Sequence, residues 1–230
     1  MVVGTGLLAK IFLSNSSDNE NTVFFASGVS NSKETELENF EREKLLLERT
    51  IKENKNKLIV YFSSCALVDD KTISPYYTHK RNMEFLVETL SNSFLIIRLP
   101  QLIGQSNNQN TLINYLYDCI KAEHEFELWD KAYRYVIDVG DVSKFVSYFI
   151  KEEIYHNKVI NVANTYRYSM YEIVKAFELL LGKKAQYTVR NLKDMYVLDL
   201  SIMKTLSEAE FREIGFGKDY LFKKISEDYK

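Results

Sequence analysis

Two short stretches carry the residue types that could do chemistry. The first is Ser74-Pro75-Tyr76-Tyr77-Thr78-His79-Lys80. Ser74 followed by Pro75 reads as a helix start, a capping hydroxyl ahead of a proline at the first helical position. The helix continues through Asn82–Val87, and Tyr76 and Lys80, four residues apart, share one face a turn from each other. A free phenol has a pKa of about 10, so it exchanges protons poorly near neutrality. A lysine cation one turn away favours the phenolate and lowers that value. A phenol so tuned can give a proton to a carbonyl oxygen or take one from an alcohol. The second stretch, Ser63-Ser64, closes the apolar run Lys57–Phe62, which reads as a buried strand. A hydroxyl at the C-terminal end of that strand, opposite the Tyr–Lys helix, is placed to hold the same oxygen. A Tyr–Lys pair at this spacing also arises by chance on many helices, so the elements around it must carry the reading.

The chain opens with Met1-Val2-Val3 running into Gly4-Thr5-Gly6-Leu7-Leu8-Ala9, a G-x-G-x-x-A pattern between a short strand and a helix that extends to about Leu13. The first glycine allows a tight turn, the second lets a pyrophosphate approach the backbone, and the small Ala9 lets helix and strand pack closely. The anion would sit on the N–H groups of the helix N-terminus. Together, Ser63-Ser64, Tyr76-x-x-x-Lys80 and this glycine turn resemble the short-chain dehydrogenase/reductase superfamily. The closer resemblance is to its extended, sugar-nucleotide branch of epimerases, dehydratases and keto-reductases. That resemblance implies a catalytic triad of Ser64, Tyr76 and Lys80, with Ser63 as the other candidate hydroxyl. It also implies NAD or NADP as cofactor, held by Gly4, Thr5, Gly6 and Leu7.

The usual dinucleotide fold places an acidic residue on the ribose about 20 residues after the first glycine. Here that region reads Phe24-Phe25-Ala26-Ser27-Gly28, without an acid. In one reading Thr22–Ala26 is the second strand, and Ser27, Ser30 and Lys33 face a 2′-phosphate. In the other, preferred here, the second and third strands are missing. Thr22–Ala26 is then the strand that normally comes fourth, with Ala26, Ser27 and Gly28 against the cofactor. Lys10 to Asn21 is too short for a βαβ unit of about 30 residues. The expected parallel sheet therefore starts Met1–Val3, Thr22–Ala26, Lys57–Phe62, Phe94–Leu99.

Between the second and third of these, Glu34 to about Asn54 reads as a helix. It has a buried stripe of Leu37, Phe40, Leu47 and Ile51, and its Glu, Lys and Arg residues read as a solvated face. Cys65 occupies the place of the cysteine in the Ser-Ser-Cys motif of fucose-forming epimerase/reductases, which implies contact with substrate; a buried structural thiol is the other reading. Arg98-Leu99-Pro100 resembles the family's Arg-x-Pro segment, which puts Pro100 beside the nicotinamide. Asn107 lies in a polar loop, Gln105–Thr111, that could hydrogen-bond a sugar or nucleotide. Arg134-Tyr135-Val136-Ile137-Asp138-Val139-Gly140-Asp141-Val142 resembles the block whose arginine meets the substrate diphosphate, with Asp138 where the family has His. Asp141 reads as a helix cap. Ser169-Met170-Tyr171-Glu172 is a capping box, its helix ending before Gly182. The tail from Asp199 reads as one or two helices.

The 230 residues, 46% hydrophobic and 27% charged, suit one soluble domain, and the net charge of −2 gives no sign of a nucleic-acid partner. No apolar run approaches the roughly 18 residues that span a bilayer. Two cysteines, Cys65 and Cys119, and no secretory signal point to a reducing cytoplasm. The three histidines have no metal-ligand spacing, so no metal is expected. The expectation is an α/β fold: a reduced Rossmann-type parallel sheet with helices on both faces. Residues from about 105–135 and 165–230 add a small C-terminal substrate lobe. The implied function is NAD(P)-dependent reduction or epimerisation of a nucleotide-activated keto-deoxysugar for surface polysaccharide, with a homodimer through the helices around Tyr76. The rivals are an epimerase using Cys65 and a non-catalytic relative that has lost normal dinucleotide binding.

Overall fold

The structure, a computed structural model, describes residues 1–14, 20–69, 74–106 and 111–229. In chain order its first elements are β1 (Val2–Val3), α1 (Leu7–Ser14), β2 (Thr22–Phe25), α2 (Leu37–Glu53), β3 (Leu58–Ser64), α3 (Pro75–Leu90) and β4 (Phe94–Leu99). Then come β5 (Gln101–Ile103), α4 (Leu112–Lys121), β6 (Phe126–Arg134), β7 (Val136–Asp138), α5 (Val139–Lys151) and β8 (Lys158–Asn161). The last are β9 (Tyr168–Ser169), α6 (Met170–Leu181), β10 (Tyr187–Asp194), α7 (Ser201–Glu208) and α8 (Tyr220–Asp228). The chain forms two compact units, Met1–Leu99 with Val142–Asn161, and Pro100–Asp141 with Val162–Lys230.

The first unit is built on a parallel sheet of order β1-β2-β3-β4-β8. β1 and β2 are direct neighbours, Val2 opposite Phe24, although only α1 and a short connection separate them in sequence. The sheet has five strands among the described residues, an arrangement compatible with the loss of two early strands. β2 and β3 are buried almost throughout because both faces are covered. Successive side chains alternate between those faces. Phe24 and Phe62 stack on Phe12 of α1 at 4.5 and 5.3 Å. Phe25, Ile59 and Tyr61 turn the other way, into a core with Leu47 and Ile51 of α2 and Met83 and Val87 of α3.

Two details of α2 correct the sequence reading. Leu37 is 78% exposed, because it opens the helix ahead of the residues that pack on the sheet. Glu43, read as part of a solvated face, is 1% exposed. α3 starts as its sequence requires: the Ser74 hydroxyl accepts from the Tyr77 N–H at 3.2 Å, and Pro75 is the first helical residue. Arg98 of β4 donates two hydrogen bonds to the Glu84 carboxylate, at 2.9 and 2.6 Å, tying α3 to the sheet.

The second unit holds a three-stranded sheet, β10-β6-β9, and the pair β5-β7. β6 and β10 run parallel with a shift of register between Arg190 and Lys193, and β6 and β9 are antiparallel. The capping box forms as expected, Ser169 with Glu172, and α6 ends at Gly182 in the left-handed conformation (φ 64°). Buried tyrosines anchor the C-terminal segment. Tyr229 Oη donates to Asn114 Oδ1 at 2.8 Å, and Tyr168 Oη donates to the Gly217 carbonyl at 2.8 Å. Asp141 is not the helix cap. α5 already begins at Val139, and the Asp138 carboxylate accepts from the Asp141 N–H at 3.0 Å, so Asp138 takes the capping role. Among the described residues no helix is long and apolar enough to cross a membrane.

Candidate active site

The glycine turn lies at the C-terminal edge of the first unit's sheet. A Cβ on Gly4, whose φ is +126°, would stand 2.4 Å from the Ala26 carbonyl oxygen, so the turn and the end of β2 touch backbone to backbone. Among the described residues, a Cβ on Gly6 would meet nothing within 4 Å. No contact among them therefore requires glycine at position 6, and the space beside it adjoins the first N–H groups of α1, which lack intrahelical partners. Thr5 is exposed and Leu7 half-buried. Such a turn can receive a phosphate group on its backbone.

From Ala26 the chain runs through Ser27 to Gly28, and a Cβ on Gly28 would lie 2.7 Å from Lys80 Nζ. Three consecutive residues thus link the glycine turn to the Tyr–Lys helix. Lys80 is 3% exposed and donates to Glu43 Oε1 at 3.0 Å and to the Tyr61 hydroxyl at 3.1 Å. Glu43 also accepts from the Tyr61 hydroxyl (2.9 Å) and the Val29 N–H (2.7 Å), and pairs with His79 Nε2 (2.9 Å). Burial opposes ionisation of this carboxyl. The Lys80 cation and the hydrogen bonds from His79, Val29 and Lys80 outweigh it and hold the group down at about 2. An ammonium has three N–H donors, so one Lys80 donor remains beyond those given to Glu43 and Tyr61 among the described residues.

Tyr76 is buried against Val29 and Phe40, with Tyr77 edge-on at 5.2 Å. Its phenol departs from the sequence expectation. Burial, then Tyr77 and the Glu43 charge, push it above the ordinary value rather than below. The expectation counted the Lys80 cation but not the burial of the phenol, nor Tyr77 and the carboxylate that accompanies the lysine. Glu43 is the buried member of this cluster that sequence reading missed, although it sits on the apolar stripe itself, three after Phe40 and four before Leu47.

The two serines part company. Ser64, half-buried, accepts from the Ala66 N–H at 3.3 Å and caps the short turn Cys65–Val68. Ser63 is 7% exposed and its hydroxyl has no hydrogen-bond partner among the described residues. The strand's alternation puts Ser63 on the face of Tyr61, which α2 and α3 cover. Cys65 is fully buried, its thiol 3.1 Å from the Arg98 carbonyl oxygen, a position that suits the structural reading.

In the second unit, Pro100 is half-buried just ahead of β5. Arg134 is bound to the carboxylate and carbonyl of Asp194 and to the Tyr133 carbonyl. Asn107 lies outside the described residues. Asp138 and Asp141 meet α8 in a buried cluster, where Lys224 Nζ is 2.8 Å from Asp141 Oδ2 and 3.7 Å from Asp138 Oδ1. Burial, then the Asp138 charge and a hydrogen bond to Asp138, push Asp228 up to about 6.

A family model described as NAD dependent epimerase/dehydratase family matches residues 24–163, beginning at β2, so the glycine turn lies ahead of the match. No curated protein sequence matches the chain. Solved structures do. The chain is similar to UDP-N-acetylglucosamine 4-epimerase from Methanobrevibacter ruminantium M1 at 18% identity and a TM-score of 0.70, over 96% of this chain and 78% of that one. It is similar to dTDP-glucose 4,6-dehydratase from Bacillus anthracis in complex with NAD at 14% identity and a TM-score of 0.68, over 97% and 77%. A GDP-6-OMe-4-keto-L-xylo-heptose reductase from C. jejuni gives 14% identity and a TM-score of 0.63, over 86% and 79%. At such identities the likeness speaks to the fold: a Rossmann-like α/β architecture.

Proposed function

Because the chain belongs to the NAD dependent epimerase/dehydratase family, we propose that it is an NAD(P)-dependent reductase or epimerase of a nucleotide-activated keto-deoxysugar, serving surface-polysaccharide synthesis in the cytoplasm. One observation carries the reading. Ala26-Ser27-Gly28 touches Gly4 at one end and Lys80 at the other. A phosphate-receiving turn and a Tyr–Lys helix are thereby aligned along the C-terminal ends of β1, β2 and β3, where open parallel sheets bind ligands. The dinucleotide, when bound, supplies or removes the hydride.

The chain's own residues do the rest. Gly6 and the N-terminus of α1 hold the pyrophosphate. Ala26, Ser27 and Gly28 line the cofactor, and the third N–H of Lys80 reaches a ribose hydroxyl. Tyr76 gives its proton to the substrate carbonyl oxygen. Of the two serines, Ser63 has the uncommitted hydroxyl and the facing side, so it holds that oxygen, with Ser64 keeping the turn in place. Arg134 and Asn107 are the candidates for the substrate diphosphate and sugar. Exposed Leu45 and Phe85 on α2 and α3 suit a homodimer.

The test is turnover of a panel of 4-keto nucleotide sugars, followed by nicotinamide absorbance. Tyr76→Phe should lower turnover by about 10²-fold or more, the size of general acid–base loss. Tyr77→Phe, about 100° around the helix, should matter little. Equal activity of the two variants would sink the assignment. A second reading, a non-catalytic relative, is favoured by the pairing of Lys80 with Glu43. It becomes the better one if neither dinucleotide binds at millimolar concentration in calorimetry.

A further inference from the structure

Lys80 brings a positive charge to the place where the proposed reaction needs its hydride carrier. In that reaction Tyr76 serves the carbonyl oxygen, and the hydride serves the carbon of the same carbonyl. The nicotinamide end of the dinucleotide therefore lies toward Tyr76 and Lys80, and the pyrophosphate toward Gly4 and Gly6. Oxidised nicotinamide carries a positive charge that the reduced ring lacks. A lone ammonium near it would repel the oxidised form and spare the reduced one, the more strongly the less water lies between them.

The ammonium here is not alone. Glu43 Oε1 accepts from Lys80 Nζ at 3.0 Å and from the Tyr61 hydroxyl at 2.9 Å. Glu43 Oε2 accepts from the Val29 N–H at 2.7 Å and lies 2.9 Å from His79 Nε2. Glu43 and Lys80 are both buried. A Cβ on Gly28 would stand 2.7 Å from Lys80 Nζ and 3.1 Å from Glu43 Oε1. The cofactor-lining backbone thus rests on both members of the pair at once. A carboxylate with donors on both oxygens stays ionised, and a pair this tight is close to neutral when seen from further away than its own separation.

The geometry points to Glu43 as a specificity-determining residue: by offsetting the Lys80 charge against Gly28, it lets the site accept the oxidised and the reduced dinucleotide alike. A bare Tyr–Lys pair would favour the reduced form. The inference deepens the proposed function and rests on the nicotinamide lying at this end of the site.

Calorimetry decides it through the ratio of Kd for the oxidised form to Kd for the reduced form, measured with the NAD and NADP pairs. The two forms share the pyrophosphate and both riboses, so a general loss of affinity cancels and a merely structural role leaves the ratio unmoved. Lys80→Met strands a carboxylate that keeps its Tyr61 and Val29 donors, and should lower the ratio at least about tenfold. Glu43→Gln strands the ammonium and should raise it by a similar factor. Glu43→Gln/Lys80→Met removes both charges and should return the ratio to the wild-type value, although both forms then bind more weakly. Single variants that leave the ratio where it is, or move it in the same direction, overturn the inference. Should a single variant not fold because it buries a lone charge, the remaining variants decide. The double variant must then stay within about threefold of the wild-type ratio, and a larger departure overturns the inference. A wild type that binds neither dinucleotide removes the proposed function and this inference together. A wild type that binds both, with an unmoved ratio in the single variants, removes the inference alone.

Discussion

Gly4 and Gly6 belong to one turn yet answer to different constraints. Gly4 combines a positive φ with a backbone oxygen 2.4 Å from where a Cβ would stand, and neither can be relieved by turning a side chain. Gly4→Ala should therefore lower stability by about 1–3 kcal/mol, read as a drop in the denaturation midpoint. Gly6→Ala should leave the midpoint unchanged, since its Cβ meets nothing among the described residues, and should weaken dinucleotide binding in calorimetry. A Gly6→Ala variant that binds like the wild type would remove the pyrophosphate from this turn. The glycines were legible in sequence because their pattern is local. Glu43 was not, because a lone carboxylate among many on a helix is read as solvated. Its place at stripe spacing between Phe40 and Leu47 was the available signal, and its partners Tyr61, His79 and Lys80 come together only in the folded unit.

At the scale of elements, helix ends were the most readable feature. Ser74 and Ser169 each accept from a backbone N–H three residues on, as their sequences imply. Removing either hydroxyl should cost about 1 kcal/mol. The two variants then separate by place. Ser74→Ala loosens the turn that carries Tyr76 and should also reduce turnover, whereas Ser169→Ala, in the second unit, should lower stability alone. Equal turnover in both, at equal loss of stability, would mean that the first turn of α3 does not position the tyrosine. The misread cap at Asp141 has a physical reason. α5 starts one turn sooner than the sequence suggests, despite Gly140, because Asp138 supplies the cap and Asp141 is recruited by Tyr220 and Lys224 of α8.

For the whole molecule, the tether of α8 depends on pH. Asp228 has a folded value of about 6 against an ordinary 3.8, so its contribution is complete below 3.8 and is lost as pH rises through about 6. Asp228→Asn can donate to Asp138 at every pH. The melting temperature of the wild type should therefore fall relative to this variant across that window, and a constant difference would exclude the shared proton. The order β1-β2-β3-β4 was legible because short connections leave neighbours few alternatives. The partnership of β6 with β10 was not, since Phe126 and Tyr187 meet across a long stretch of sequence that holds other elements.

The sheet of the first unit is closed by β8, whose neighbour β4 lies far back in the chain; the Phe94 N–H donates to the Asn157 side chain 63 residues on. As the polypeptide leaves the ribosome, β1 to β4 emerge together, but the last strand follows only after β5, β6 and β7 have been made. Until then Leu95, Ile96 and Ile97 lie on an open edge, the kind of surface that recruits other extended chains. Translation order thus sets a waiting time into this fold, and the half-made protein spends it with an apolar strand unprotected on one side.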